Sequence, residues 1–237
     1  MPSRKHVSRN VTGDYRKRLI KLLDGFTGSH DRRTIFRDFV ECCAIAISNQ
    51  LAPSPERDKR EETYLQIAKR HGREIMVGFS EGLGLAQLAL RTEGGDVLGD
   101  VYQGLGIHNG DAGQFFTPFE VSSLIARMTL TDVEDTMAQV RAAGRVLRVS
   151  DPAVGGGGML LAAAETLEDA GVSLDEVCFF GTDVDITCVE MAFTQLALLG
   201  AAAVITHGNS LSREVWSTWV TPRAVEQHCA RRLDLAS

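Results

Sequence analysis

Between residues 31 and 51, apolar side chains recur at Ile35, Phe36, Phe39, Val40, Cys43, Ala46 and Ile47, the three-and-four spacing that lays one face of a helix against a core. Pro53 and Pro55 follow and mark its end. A second, strongly charged helix is expected from Glu56 to about Val77, and a third from Phe79 to Leu90. The same period returns in Val97, Leu98, Val101, Tyr102 and Leu105, so the first half of the chain reads as a helical layer. Beyond Arg145 the period changes. β-Branched Val146 and Val149 flank an extended run that ends at Asp151 in a glycine cluster, and further extended runs follow at 177–182 and 202–207. Helical patterns from Met159 to Ala170 and from Ile186 to Leu199 separate them, each closed by a glycine, Gly171 and Gly200. Strand, helix, strand, helix, strand in this order predicts a parallel βαβαβ unit, and hence an α/β fold with a helical region in front.

A chain of 237 residues with 44% hydrophobic content can bury a substantial core. No apolar run reaches the roughly 20 residues that cross a bilayer, and Met1 to Asn10 lacks the apolar stretch of a secretory signal. A soluble, cytoplasmic protein without a membrane partner is therefore expected. Five cysteines, an odd number in no metal-like spacing, fit a reducing compartment better than a disulfide framework. Cys42 and Cys43, adjacent on a helical pattern, read as buried and structural. A net charge of −6 argues against a protein that coats nucleic acid through general positive charge. Locally, Arg4, Lys5, Arg9, Arg16, Lys17, Arg18 and Lys21 stand against the single acid Asp14. That stretch reads as a solvated arm, with phosphate contact as the alternative.

The chemistry concentrates in Val149-Ser150-Asp151-Pro152-Ala153-Val154-Gly155-Gly156-Gly157-Gly158-Met159-Leu160. Glycines between a strand and a helix let backbone approach a ligand at the carboxyl edge of a sheet. A dinucleotide fingerprint would need a third glycine where Leu160 stands, and no Gly-Lys-Ser/Thr follows to make a phosphate loop. Taken in isolation the cluster fits a plain tight turn as well as a ligand site. The second strand ends in Gly181-Thr182-Asp183-Val184-Asp185, where a carboxylate can accept both ribose hydroxyls of an adenosine. Asp183 is the first choice and Asp185 the second. The alternative is that either aspartate caps the next helix. The third strand ends in His207-Gly208-Asn209-Ser210, placing an amide for an adenine edge or, equally, an ordinary turn. Upstream, Gly113-Gln114-Phe115-Phe116-Thr117-Pro118-Phe119-Glu120 predicts a helix start, with Thr117 and Glu120 as a capping box, Pro118 in the first turn, and Val121, Leu124, Ile125 and Met128 as the apolar face. Two aromatics before a helix N-terminus also suit an adenosine or a carboxylate.

Together these segments resemble the methylation subunits of type I restriction-modification systems and related adenine-N6 DNA methyltransferases. Gln114 to Pro118 is similar to that family's GQ[YF]FTP motif, Asp151 to Gly158 to its DPACGSGG loop, and Asp96-Val97-Leu98-Gly99-Asp100-Val101-Tyr102 to its D-x-L-G-x-x-Y helix. The resemblance implies a Rossmann-like class I methyltransferase core, with a truncated parallel sheet, behind the helical N-terminal region. The implied organisation is a basic arm over 1–30, a helical region over 31–112, an S-adenosylmethionine-binding domain over 113–212 and a helical tail over 213–237. By the same likeness, Phe116, Thr117 and Pro118 hold the methionine end of S-adenosyl-L-methionine. Asp151, Pro152, Ala153, Gly155 and Gly157 cradle its amino acid portion, Asp183 the ribose and Asn209 the adenine. DNA is the implied substrate, with another methyltransferase or specificity subunit as the implied partner. Two residues depart from the pattern, Asn209 where an acid is usual and Val154 where a cysteine is.

A larger departure is that nothing from Asn209 to Ser237 matches the [DN]PP[YF] tetrapeptide, which holds the target amine while its aromatic ring stacks on a flipped base. An adenine amine is a weak nucleophile, so such acceptors are needed to aim it. No catalytic residue is therefore assigned. Two readings stand: an adenine-N6 DNA methyltransferase-like protein of a restriction-modification or mobile-element system that a partner completes, and a non-catalytic module that modulates restriction or methylation. Trp216 and Trp219 are expected to cover the open edge of a three-strand sheet, and Thr221-Pro222-Arg223 to start a last helix.

Overall fold

The computed structural model describes residues 14–28, 30–51, 55–107, 116–227 and 229. Gly113, Gln114 and Phe115, and residues 1–13, lie outside them, and the rest of the expected solvated arm instead contains a helix over Tyr15–Asp24 whose Leu19 and Leu23 are buried in the core. The helical half comprises α1 (Tyr15–Asp24), α2 (Arg32–Ser48), α3 (Pro55–Thr92), α4 (Val97–Gly104), α5 (Phe119–Thr129) and α6 (Val133–Ala142). The α/β half runs β1 (Leu147–Asp151), α7 (Gly158–Asp169), β2 (Val177–Asp183), α8 (Ile186–Leu199), β3 (Ala202–Asn209), β4 (Glu214–Val220) and α9 (Pro222–Glu226). A mixed α/β fold with helices flanking a partial sheet results.

The sheet order is β1-β2-β3-β4, with β1, β2 and β3 parallel, as the alternation of strand and helix predicts. Side-chain period two divides the strands between two cores. Val177, Phe179, Ala203 and Ile205 point into the main core with α7, α8 and the N-terminal helices, where Phe36, Phe39 and Phe193 are fully buried. Cys178, Ala202 and Val204 point the other way, into a small cluster with Ala224 of α9 and Cys229. Beyond α9 the outer face opens into a hollow lined by Arg148, Phe180 and Thr206 among others, with the Arg148 guanidinium over the Phe180 ring at 4.5 Å.

Several expectations are corrected. The truncated parallel sheet carries a fourth, antiparallel strand, because β4 pairs with β3 from Val204↔Val220 to Asn209↔Glu214. The tail over 213–237 is thus a strand before it is a helix: Val215, Trp216, Thr218, Trp219 and Val220 are the branched and aromatic residues a pleated surface favours. Trp219 does help to close the β3 edge, buried against Phe193 and under Arg60, and Thr221 caps α9 as expected by accepting from the Ala224 N–H. Two successive helices occur in this stretch as expected, but they meet earlier than Val77: α3 is interrupted at Gly72, whose φ of 72° lies in the left-handed region open to glycine. The capping box at Thr117 does not form. α5 starts one residue later with Pro118 as its N-cap and no side-chain cap. The expected apolar face of α5 also faces outward, and its buried positions are Ser122 and Ala126.

Cys42 and Cys43 are buried, as read from their helix, and burial pushes the Cys42 thiol up to about 12. Against a reading without disulfides, Cys178 of β2 and Cys229 are bonded, with Cα atoms 6.5 Å apart. The bond fastens the segment after α9 to the outer face of the sheet. Among the described residues no helix is long and apolar enough to cross a membrane.

Candidate cofactor site

The carboxyl ends of β1 and β2 lie side by side, with Asp151 opposite Gly181. Asp151 Oδ1 accepts from the Ala153 N–H at 3.0 Å and closes the first turn of the glycine loop, which contains Pro152. The Val154 N–H donates to the Thr182 carbonyl at 3.0 Å, tying the loop to the tip of β2, and the Gly157 N–H returns to the Val154 carbonyl at 2.9 Å. At Gly155 and Gly157 the backbone takes φ of 52° and 98°, conformations that side chains with a Cβ resist. A Cβ on Gly157 would stand 3.1 Å from the Ala192 Cα, so glycine also lets α8 pack directly on the loop. α7 then starts at Gly158, turning its first N–H groups toward the loop.

Asp183 meets this loop. Its Oδ2 accepts from the Gly155 N–H at 2.9 Å, while Oδ1 accepts from the Asp185 N–H at 2.9 Å. The capping role falls to Asp185, whose Oδ1 accepts from the Thr187 N–H at 2.8 Å at the start of α8. Asp183 stands at the loop and Asp185 is the cap. Asn209 is the last residue of β3, and its side-chain oxygen accepts from the Leu211 N–H at 2.9 Å and the Ser212 N–H at 3.3 Å. The turn reading of Gly208-Asn209 is therefore realised, with the carboxamide oxygen committed to it.

Phe116 is half-buried with its ring against the loop: Cβ atoms placed on Gly155 and Gly156 would stand 3.7 and 3.4 Å from it. Tyr102 of α4 holds that ring edge-on at 5.1 Å and is itself held by Phe36 at 5.4 Å. Thr117 and Pro118 follow, exposed, at the head of α5.

Two further residues brace the loop from behind. Gln195, fully buried on α8, donates from Nε2 to Asp96 Oδ1 and to the Gly156 carbonyl, both at 2.8 Å, and accepts at Oε1 from the Leu98 N–H at 2.9 Å. Asp96 caps α4 through the Gly99 N–H at 2.9 Å. Burial raises its carboxyl above the ordinary range, opposed by the Gln195 and Gly99 hydrogen bonds. Asp96 is expected from the sequence as the first residue of the D-x-L-G-x-x-Y helix, without a role in the loop, and Gln195 is not expected at all. The available signal was an amide, next to Thr194, in a stretch of α8 that is otherwise apolar over 191–199. Burial also raises the Cys188 thiol, with the Asp185, Asp183 and Asp96 carboxylates adding to it.

A family model described as N-6 DNA Methylase matches residues 93–227, more than half of the chain and all of the site from Asp96 to Asn209. No curated protein matches. Among solved structures, the chain is similar to the type I restriction-modification system methyltransferase subunit from Streptococcus thermophilus, at 14% identity and a TM-score of 0.44. That similarity covers 86% of this chain and 59% of the other, so this chain spans less than two thirds of that subunit's length. On the match over residues 93–227, the chain belongs to the N-6 DNA methylase family.

Proposed function

We propose that this chain binds S-adenosyl-L-methionine through a Rossmann-like class I core and serves adenine-N6 methylation of DNA in the cytoplasm, with methyl transfer completed by a partner subunit. The observation that carries the proposal is the Gly155 N–H to Asp183 hydrogen bond, which joins a glycine loop and an acidic strand tip into one pocket wall. The residues present fit the cofactor. At Gly156 a Cβ would stand 2.9 Å from Met191 Cε and 3.4 Å from the Phe116 ring, so glycine is what lets the Phe116 ring lie on the loop. In this reading Asp151, Pro152, Ala153, Gly155 and Gly157 bind the amino acid end, with Phe116, Thr117 and Pro118 beside the methionine. Asp183, whose oxygens each retain a lone pair beyond their backbone bond, takes the ribose hydroxyls, and Asn209 offers its NH2 group to the adenine edge. When bound, the cofactor supplies an electrophilic methyl on a sulfonium. The chain's own part is to bind and orient it.

No [DN]PP[YF] sequence occurs among residues 1–237, so no residue is assigned to hold the target amine. Calorimetric titration with S-adenosyl-L-methionine is expected to show one site per chain, and Asp183→Ala to abolish it. Methyl incorporation into adenine-containing duplex DNA is expected only when a methylation subunit is added. Absence of cofactor binding sinks the proposal, and incorporation by the purified chain alone overturns the need for a partner.

A further inference from the structure

On α5 the residues Val121, Leu124, Ile125 and Met128 are 43%, 59%, 41% and 68% exposed. At about 100° per residue they form one stripe roughly 100° wide. The helix is held to the protein by its other side, through the small residues Ser122 and Ala126, against α7. α7 in turn packs on β1, the strand at the end of the sheet order. The stripe therefore belongs to the β1 end of the molecule. A row of large apolar side chains turned to water beside small residues turned inward is the inverse of a surface helix, and such a face marks an interaction site.

The charges on the helix say what fits. Glu120 and Arg127 are both exposed and stand seven residues apart, so they lie on the same flank of the stripe at its two ends. When two identical helices pack antiparallel about a two-fold axis, like flanks meet, so Glu120 of one copy faces Arg127 of the other, and the reverse pair repeats the contact. A parallel pairing sets the flanks on opposite sides and loses both contacts.

We propose that two copies of this chain associate through α5, packed antiparallel on the stripe of Val121, Leu124, Ile125 and Met128 with reciprocal Glu120–Arg127 pairs. An interface centred on an eleven-residue helix buries less than the ~1,200 Å² typical of tight complexes, so a roughly micromolar dissociation constant is expected.

The test is sedimentation velocity on the full chain between about 1 and 200 μM, a range that brackets such an affinity. Wild type is expected to shift from monomer to dimer across it. Leu124→Glu is expected to remain monomeric with an unchanged circular dichroism spectrum, since the side chain is exposed. Glu120→Arg alone and Arg127→Glu alone each place like charges together twice per dimer and are expected to weaken association roughly tenfold. The double variant Glu120→Arg/Arg127→Glu restores the pairs and is expected to restore dimerisation. Wild type that stays monomeric throughout, a Leu124→Glu chain that still dimerises, or a double variant no better than the singles overturns the proposal.

Discussion

Replacing Gln195 by leucine shortens the side chain by one bond and removes the amide that holds three partners together. Leu98 then loses the acceptor for an N–H in the first turn of α4, where no intrahelical carbonyl can serve. The Gly156 carbonyl loses its donor, while Asp96 keeps the Gly99 N–H. A buried polar group left unpaired costs about 1–3 kcal/mol. Two such groups, less a part recovered by burying an apolar side chain, come to about 2–4 kcal/mol. For a domain of this size each kcal/mol lowers Tm by about 2–4 °C, so Gln195→Leu is expected to melt roughly 5–15 °C below wild type. Because one of the lost contacts fixes the glycine loop, cofactor affinity measured well below the melting range is expected to fall as well. Differential scanning calorimetry, followed by titration with S-adenosyl-L-methionine at 15 °C, reads both effects. A variant that melts within about 2 °C of wild type refutes the brace, being smaller than the loss of even one buried partner. A lowered Tm with unchanged affinity confines Gln195 to stability.

Two further substitutions test the loop and the buried charge. Gly157→Ala meets both a φ of 98° and the Ala192 backbone at 3.1 Å, whereas Gly171→Ala meets a φ of 81° with nothing within 4 Å. The second is expected to cost about 1 kcal/mol and the first about 2–4 kcal/mol, and equal melting temperatures for the two would refute direct packing of α8 on the loop. Glu190 is buried on α8, and burial raises its carboxyl well above the ordinary value, with Glu41 and Asp185 adding to the rise and Arg60 and Arg37 opposing it. A raised carboxyl binds its proton more tightly in the folded state, so stability falls as pH climbs from the unfolded value toward the folded one. Glu190→Gln is therefore expected to stabilise by roughly 1–2 kcal/mol at pH 8 and by little at pH 5; thermal melts showing a larger gain at pH 5 would reverse that sign.

The parts of the fold legible in the sequence are those fixed by local signals. α8 runs from Ile186 to Leu199 as expected because an aspartate caps one end and Gly200, at φ 80°, closes the other. β2 and β3 begin where the β-branched and apolar runs begin, at Val177 and Ala202. Gly155, Gly157 and Asp183 were singled out as a pair of strand tips, and parallel register brings them together. What escaped depends on distant partners. Gln195 reaches residues 97 and 99 positions away, and Cys178 bonds a cysteine 51 positions away, so neither leaves a periodic trace. The orientation of α5 escaped for a related reason: periodicity finds an apolar stripe but not which side meets the protein. α6 was not anticipated, its pattern of Val133 and Met137 being too short to stand out.

The glycine loop is held by hydrogen bonds from β2 through Thr182 and Asp183 and from α8 through Gln195, with Ala192 packed against its glycine. Every one of these contacts is made by the chain's own residues, from β2 on one side of the loop and α8 on the other. At the β1 end the situation is the opposite, with the apolar stripe of α5 uncovered and the outer face of β1 and β2 open around Arg148 and Phe180. A parallel sheet is ordinarily covered on both faces. Among the described residues, then, the glycine loop is braced from two sides, while the β1 end carries the exposed stripe of α5.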